Sequence, residues 1–282
     1  MKVKKSVEQY LCHVQEVHKP KTHETYTSRI KSFVEKLGNA KVEKLTAADI
    51  VSWLDALMKS KNANDTKRGD INAFLQWQHW AVAHQHLTEY LMPKIKKPPG
   101  NQRERVPTDE EFKSVLAIAK PAFAAVLKGL RWTGARPAEL AKATIADWDR
   151  EANLIVLLDH KTARKTGKPR LIGVGQDVRA LLEEAIGERQ AGPIFLNDRG
   201  QPWTENAMSH AFRRLRDKLK LSKDLVLYSM RHAAGTEFCE KLGIYAAKEL
   251  LGHTSINMTQ RYAHSASAKL AEWQDQARKA AS

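Results

Sequence analysis

The strongest constraint on the fold of this chain is a stretch that it cannot bury. Residues 93–107 carry Lys94, Lys96, Lys97, Pro98, Pro99, Gly100, Arg103 and Arg105, with almost no apolar side chain among them. Such a segment reads as an extended, solvated connector. Hydrophobic cores must then form separately on its two sides, and 282 residues are enough for two. The expected organisation is a helical domain over residues 1–93, a basic linker over 94–107 and a second domain over 108–282.

On the N-terminal side the apolar spacing is helical. It predicts helices over residues 7–17 and 22–37, separated at Lys19-Pro20 and closed by Gly38. Thr46 and Asp49 stand at capping-box spacing and open a third helix with Ile50, Val51, Trp53, Leu54 and Leu57 on its apolar face. A fourth spans residues 65–86. Its Phe74, Leu75, Trp77 and Trp80 are read as core rather than as a nucleic-acid contact.

Beyond the linker, Thr108 and Glu111 repeat the capping-box spacing ahead of Val115, Leu116 and Ile118. Helical pattern resumes over residues 122–132 and stops at Thr133-Gly134. Residues 153–158 and 170–174 are rich in Leu, Ile and Val and flank a basic loop, which predicts a hairpin. Further helices are expected over 178–186, 205–218, 230–242, 244–251 and 266–279. The fold class is mainly α with a small β-sheet, a helical domain followed by an α+β domain.

The balance of 47 Lys and Arg against 32 Asp and Glu leaves a net charge of +15, which favours a polyanionic partner. The first 15 residues lack a signal-peptide core, and no run of about 18 apolar residues occurs, so a cytoplasmic setting without a membrane partner is expected. Cys12 and Cys239 form no paired motif, which argues against a disulfide framework or a zinc site, and both are expected to be buried.

Three short segments of the second domain carry chemistry. Residues 133–140 read Thr-Gly-Ala-Arg-Pro-Ala-Glu-Leu, residues 228–232 read Tyr-Ser-Met-Arg-His, and residues 250–253 read Leu-Leu-Gly-His ahead of Tyr262. In the first, Pro137 suits the first turn of a helix, which puts Arg136 at a helix start where its two parallel donors can meet phosphate oxygens. Glu139, one turn on, can hold that fork in place. In the third, Gly252 suits a helix end that lets His253 emerge from a turn, nine residues before Tyr262.

Together these segments resemble the signature boxes of the tyrosine recombinase, or phage integrase, family over roughly residues 108–264. The resemblance implies that the first 93 residues are a DNA core-binding domain and that the second domain is catalytic. It implies that Tyr262 is the nucleophile, forming a 3′-phosphotyrosine on double-stranded DNA. Arg136 and Arg231 would clamp the scissile phosphate, and His253 would donate a hydrogen bond to it. The general acid would come from the hairpin, Lys161 at the end of its first strand, with Lys165 as the alternative; Lys168 lies in the same loop. Many relatives carry His where this chain has Tyr228. A phenol can donate to a phosphoryl oxygen but, titrating near about 10, is a poor base at neutral pH. His232 is expected to be structural, because adjacent helical residues point in different directions.

No metal or nucleotide cofactor is implied. Assembly as a homo-oligomer on DNA is, with a tetramer in the synaptic complex and a C-terminal tail, Leu270 and Trp273 within it, packed on its own domain or on a neighbouring protomer. Within the same chemistry a type IB-like topoisomerase is the alternative, and outside it a noncatalytic architectural DNA-binding protein.

Overall fold

The computed structural model describes residues 1–100, 105–160 and 163–262, the side chains of Arg164 and Lys165 excepted. The tail helix expected over 266–279 and the linker's Arg103 lie outside the described residues. The chain divides into two compact units, Met1–Gln102 and Arg103–Ser282.

In the first unit, α1 (Val3–Val17), α2 (Pro20–Leu37), α3 (Ala47–Lys59) and α4 (Asn64–Ala83) enclose one core. Pro20 takes the first turn of α2, where its missing N–H costs nothing. Thr46 caps α3 reciprocally with Asp49. Gly38 ends α2 in a right-handed conformation, not as the left-handed cap that its position suggested. Phe33, Trp53, Phe74 and Trp77 are fully buried, with Phe33 centroids 5.4, 5.0 and 5.0 Å from the other three rings. Trp77 Nε1 donates to Ser6 Oγ at 3.2 Å, which ties α4 to α1. The expected linker begins on this unit: Ile95 packs partly against its core, and Arg68 donates to the Pro98 carbonyl. Cys12 is exposed, contrary to expectation, because α1 buries the face of Val3, Val7, Tyr10 and Val14 instead.

The second unit opens with α5 (Asp109–Ile118), capped reciprocally by Thr108 and Glu111, and α6 (Pro121–Thr133). Then come α7 (Pro137–Lys142) and a three-stranded antiparallel sheet in the order β1 (Trp148–Asp149), β2 (Leu154–Leu157), β3 (Arg170–Gly173). The expected hairpin is β2 and β3, in register Ile155 to Ile172 and Leu157 to Arg170. A single turn, α8 (Ala163–Thr166), sits in its loop. Helices α9 (Gln176–Ile186), α10 (Glu205–Lys218), α11 (Ser229–Leu251) and α12 (Asn257–Gln260) complete the unit. The core gathers Val126, Leu127 and Leu130 of α6, Ile155 and Ile172 of the sheet, Leu182 of α9 and Phe212 of α10. The two helices expected over 230–242 and 244–251 are the two arms of α11, divided where Gly243 leaves helical geometry at φ 81° and ψ 167°. No helix among the described residues is long and apolar enough to cross a membrane.

Candidate active site

Four backbone termini converge on one buried cluster. Helix α6 ends at Gly134, in the left-handed conformation at φ 63°, and the chain turns through Arg136 into α7. Arg136 occupies the cap position with Pro137 in the first turn. Its amide donates to Glu139 Oε2 at 2.9 Å and its guanidinium to Glu139 Oε1 at 2.6 Å. Glu139 is 4% exposed and lies 3.6 Å from a second guanidinium, that of Arg170 at the start of β3. Burial alone would raise its carboxyl, but the Arg136 amide, Arg170 and the Arg136 guanidinium outweigh that and hold it below the usual carboxylate range.

Arg231, one turn into α11, is wholly buried. Its guanidinium donates to the carbonyls of Gly134 and Leu251, and one amino group lies 3.0 Å from His253 Nε2. A guanidinium only donates, so Nε2 accepts, and Nδ1 carries the proton that meets Thr259 Oγ1 at 2.8 Å. Burial, reinforced by Arg231, Arg136, Arg170 and Arg261, pushes His253 down to about 3, so the ring is neutral at physiological pH. The donor role that the resemblance implies for His253 therefore requires the opposite tautomer. Thr259 permits it, since a hydroxyl that accepts from Nδ1–H can rotate and donate to bare Nδ1.

Tyr262 follows α12 and is 5% exposed. Its ring stacks on His253, centroids 6.1 Å apart and planes 13° apart, and lies tilted by 53° to His232 at 5.6 Å. Burial raises its hydroxyl, partly offset by Arg231. A Cβ at Gly235 would stand 2.9 Å from the Tyr262 ring, so α11 approaches the ring this closely because position 235 has no side chain. Tyr228 caps α11, half-exposed, with its ring 5.1 Å from that of His232.

The structure thus gathers Arg136, Glu139, Arg231, His253 and Tyr262, and carries Tyr228 to the rim. Lys161 and the side chain of Lys165 lie outside the described residues. His253 does open onto a cleft shared with His160, Thr166 and Lys168 of the hairpin. Two members were not expected from sequence. His232 touches both tyrosines instead of standing apart from the site. Arg170 is 4% exposed; it donates to the Leu250 carbonyl at 2.8 Å, and burial lowers it to about 10. Its only sequence signal is strand alternation, since positions 170 and 172 face inward.

Gly252 caps α11 at φ 61°, and a Cβ there would stand 2.8 Å from the Arg170 side chain. Gly252→Ala is therefore expected to destabilise the second unit by about 1–3 kcal/mol through backbone strain and overpacking. Thermal unfolding measures it, and an unchanged Tm would show that the loop accommodates the methyl group.

Arginines from three separate elements, a buried tyrosine and a neutral imidazole form a cationic cluster whose guanidinium groups suit an anion. Sequence comparison agrees: the model described as the phage integrase family matches residues 106–269, and that of its N-terminal SAM-like domain matches residues 2–58. The chain belongs to the phage integrase family. It is 28% identical over 222 residues to tyrosine recombinase XerC 2 of Ralstonia nicotianae, an alignment covering 71% of this chain and 61% of that protein. With tyrosine recombinase XerD of Bifidobacterium longum it shares 24% identity over 91% of both chains. The fold is that of lambda integrase (75-356), solved as a dimer bound to a COC′ core site, with a TM-score of 0.80 at 19% identity over 93% of this chain and 95% of that one. The Tn1549 transposon integrase (aa 82-397), solved with circular intermediate DNA, gives 0.71 at 19% identity over 93% and 95%.

Proposed function

We propose that this chain is a site-specific DNA recombinase that cuts and rejoins double-stranded DNA through Tyr262. The observation that carries this reading is the nucleophile's setting: a buried phenol stacked on His253, whose Nε2 is bonded to Arg231. Attack of Tyr262 Oη on a backbone phosphorus breaks the bond to the 5′ oxygen and leaves a 3′-phosphotyrosine. Arg136 and Arg231 stabilise charge on the phosphoryl oxygens, and Tyr228 donates from the rim. Lys161, or Lys165 in its place, gives a proton to the leaving oxygen. Glu139 orients Arg136. Because the phosphodiester energy is kept in the protein–DNA link, religation to a partner strand needs no nucleotide or metal.

DNA as substrate is supported by the net charge of +15 and by the structural neighbours, which were solved on DNA. One of them, lambda integrase, was also solved as a tetramer on a Holliday junction, which supports assembly of this chain on paired sites, with residues 1–93 as the core-binding domain and 108–282 as the catalytic domain.

The test is to trap the protein on nicked suicide substrates bearing candidate sites, sequence the attached ends and map the modified residue by mass spectrometry. A 3′-linked adduct on Tyr262 is expected; an adduct elsewhere overturns the assignment. With two marked sites, recombined joints are expected, and supercoil relaxation without joints would instead indicate a topoisomerase.

A further inference from the structure

The reading of Tyr262 as nucleophile requires an acceptor for its proton. Arg136 and Arg231 only donate. His253 spends Nδ1 on Thr259 and Nε2 on Arg231. Where many relatives hold an imidazole, this chain holds Tyr228.

The imidazole absent from position 228 is present one turn along the same helix. His232 is 7% exposed, and its ring lies between the two tyrosines, 5.1 Å from Tyr228 and 5.6 Å from Tyr262. Residues 228 and 232 are stacked by the helical repeat, so the side chain at 232 covers part of the surface that a ring at 228 would face. Tyr262 reaches this face of α11 because Gly235, a further turn along, leaves room for its ring.

We propose that His232 is the general base of strand cleavage, a catalytic residue set between Tyr228 and Tyr262. This rests on Tyr262 being the nucleophile. As Tyr262 Oη bonds to phosphorus, its proton passes to a ring nitrogen of His232, directly or through one water, and the electron pair of the breaking P–O bond leaves with the 5′ oxygen, which takes a proton from the hairpin lysine. In religation the imidazolium returns the proton to Tyr262 Oη as the 5′ hydroxyl attacks and gives its own proton back to the lysine. Among the described residues, Tyr228, Arg231, Arg261 and Cys239 act on the Tyr262 hydroxyl, and Tyr228 also packs on the His232 ring. His253, held neutral by burial and its arginines, does not titrate in the range where a histidine base would.

The experiment is single-turnover cleavage of a suicide substrate from pH about 5 to 9, spanning the usual histidine range, with wild type, His232→Gln and His232→Ala, DNA affinity being measured alongside. Expected for wild type is a rate that rises with pH as one group loses a proton. His232→Gln should bind DNA normally, cleave about 10²- to 10⁴-fold more slowly and lose that rise. Added imidazole should restore part of the rate to His232→Ala. A His232→Gln enzyme that keeps the wild-type pH profile, whatever its rate, overturns the proposal by reducing His232 to packing. The wild-type profile is read independently of whether the variants fold, and a profile without an ionisation in the histidine range overturns it as well. A wild type that forms no adduct at Tyr262 overturns the nucleophile assignment itself, which separates the two failures.

Discussion

Tyr262→Phe is expected to bind DNA with wild-type affinity and to form no covalent complex, a loss on the order of 10⁴-fold or more in cleavage. The two halves of that expectation have different sources. Chemistry is lost because, under the proposed mechanism, the hydroxyl oxygen is the atom that bonds to phosphorus. Folding and binding are kept because the ring's contacts with His253, His232 and the Gly235 slot involve carbon atoms that phenylalanine retains. Gel-shift affinity alongside suicide-substrate trapping checks both. An adduct that survives in the variant would remove Tyr262 from the mechanism.

Glu139→Gln should be the most damaging change to stability. The carboxylate is buried between Arg136 and Arg170 and accepts from the Arg136 amide. Glutamine keeps the shape but leaves two guanidinium groups with no anion between them. Breaking a buried ion pair by removing one partner costs about 3–5 kcal/mol. In a domain of this size that corresponds to a Tm lowered by about 10 °C. The pH dependence follows from the same contacts. Because Glu139 is held below its unfolded value, it contributes stability that is fully present above the ordinary carboxylate range and is lost as the pH falls through its lower folded value. Unfolding of the wild type should therefore steepen on the acid side, and the variant should lack that component. Matching acid limbs for the two proteins would show that Glu139 is not the group responsible.

Local rules made much of this fold legible in the sequence. Thr46 with Asp49 and Thr108 with Glu111 announce helix starts through the geometry of a single turn. Gly134 and Pro137 bracket Arg136 for equally local reasons. The strand pair was marked by two apolar runs, whereas β1, only two residues long, is too short to produce a pattern. The site was legible where spacing carried it, as with His253 and Tyr262. Residues whose role depends on distant partners were not. Arg170 lies beside Glu139 and under Gly252 only because the sheet brings its first inward position there. His232 was set aside because it points away from Arg231. That is true along the helix, but it says nothing about a tyrosine arriving from 30 residues further on.

Among the described residues, no carboxylate forms an ion pair with Arg231 at contact distance. The carbonyls that receive its protons, those of Gly134 and Leu251, stand at the C-terminal ends of α6 and α11, where aligned peptide dipoles collect partial negative charge. Dipoles satisfy a guanidinium's donors without cancelling its formal charge. Among the described residues, the cations Arg136, Arg170, Arg231 and Arg261 act around neutral His253 and outnumber the anion Glu139. A DNA phosphodiester carries one negative charge, and the five-coordinate phosphorus reached by a phenolate carries two. Under the proposed mechanism this positive surplus favours the doubly charged five-coordinate phosphorus over the resting DNA, which is the condition for accelerating a step instead of merely holding its substrate.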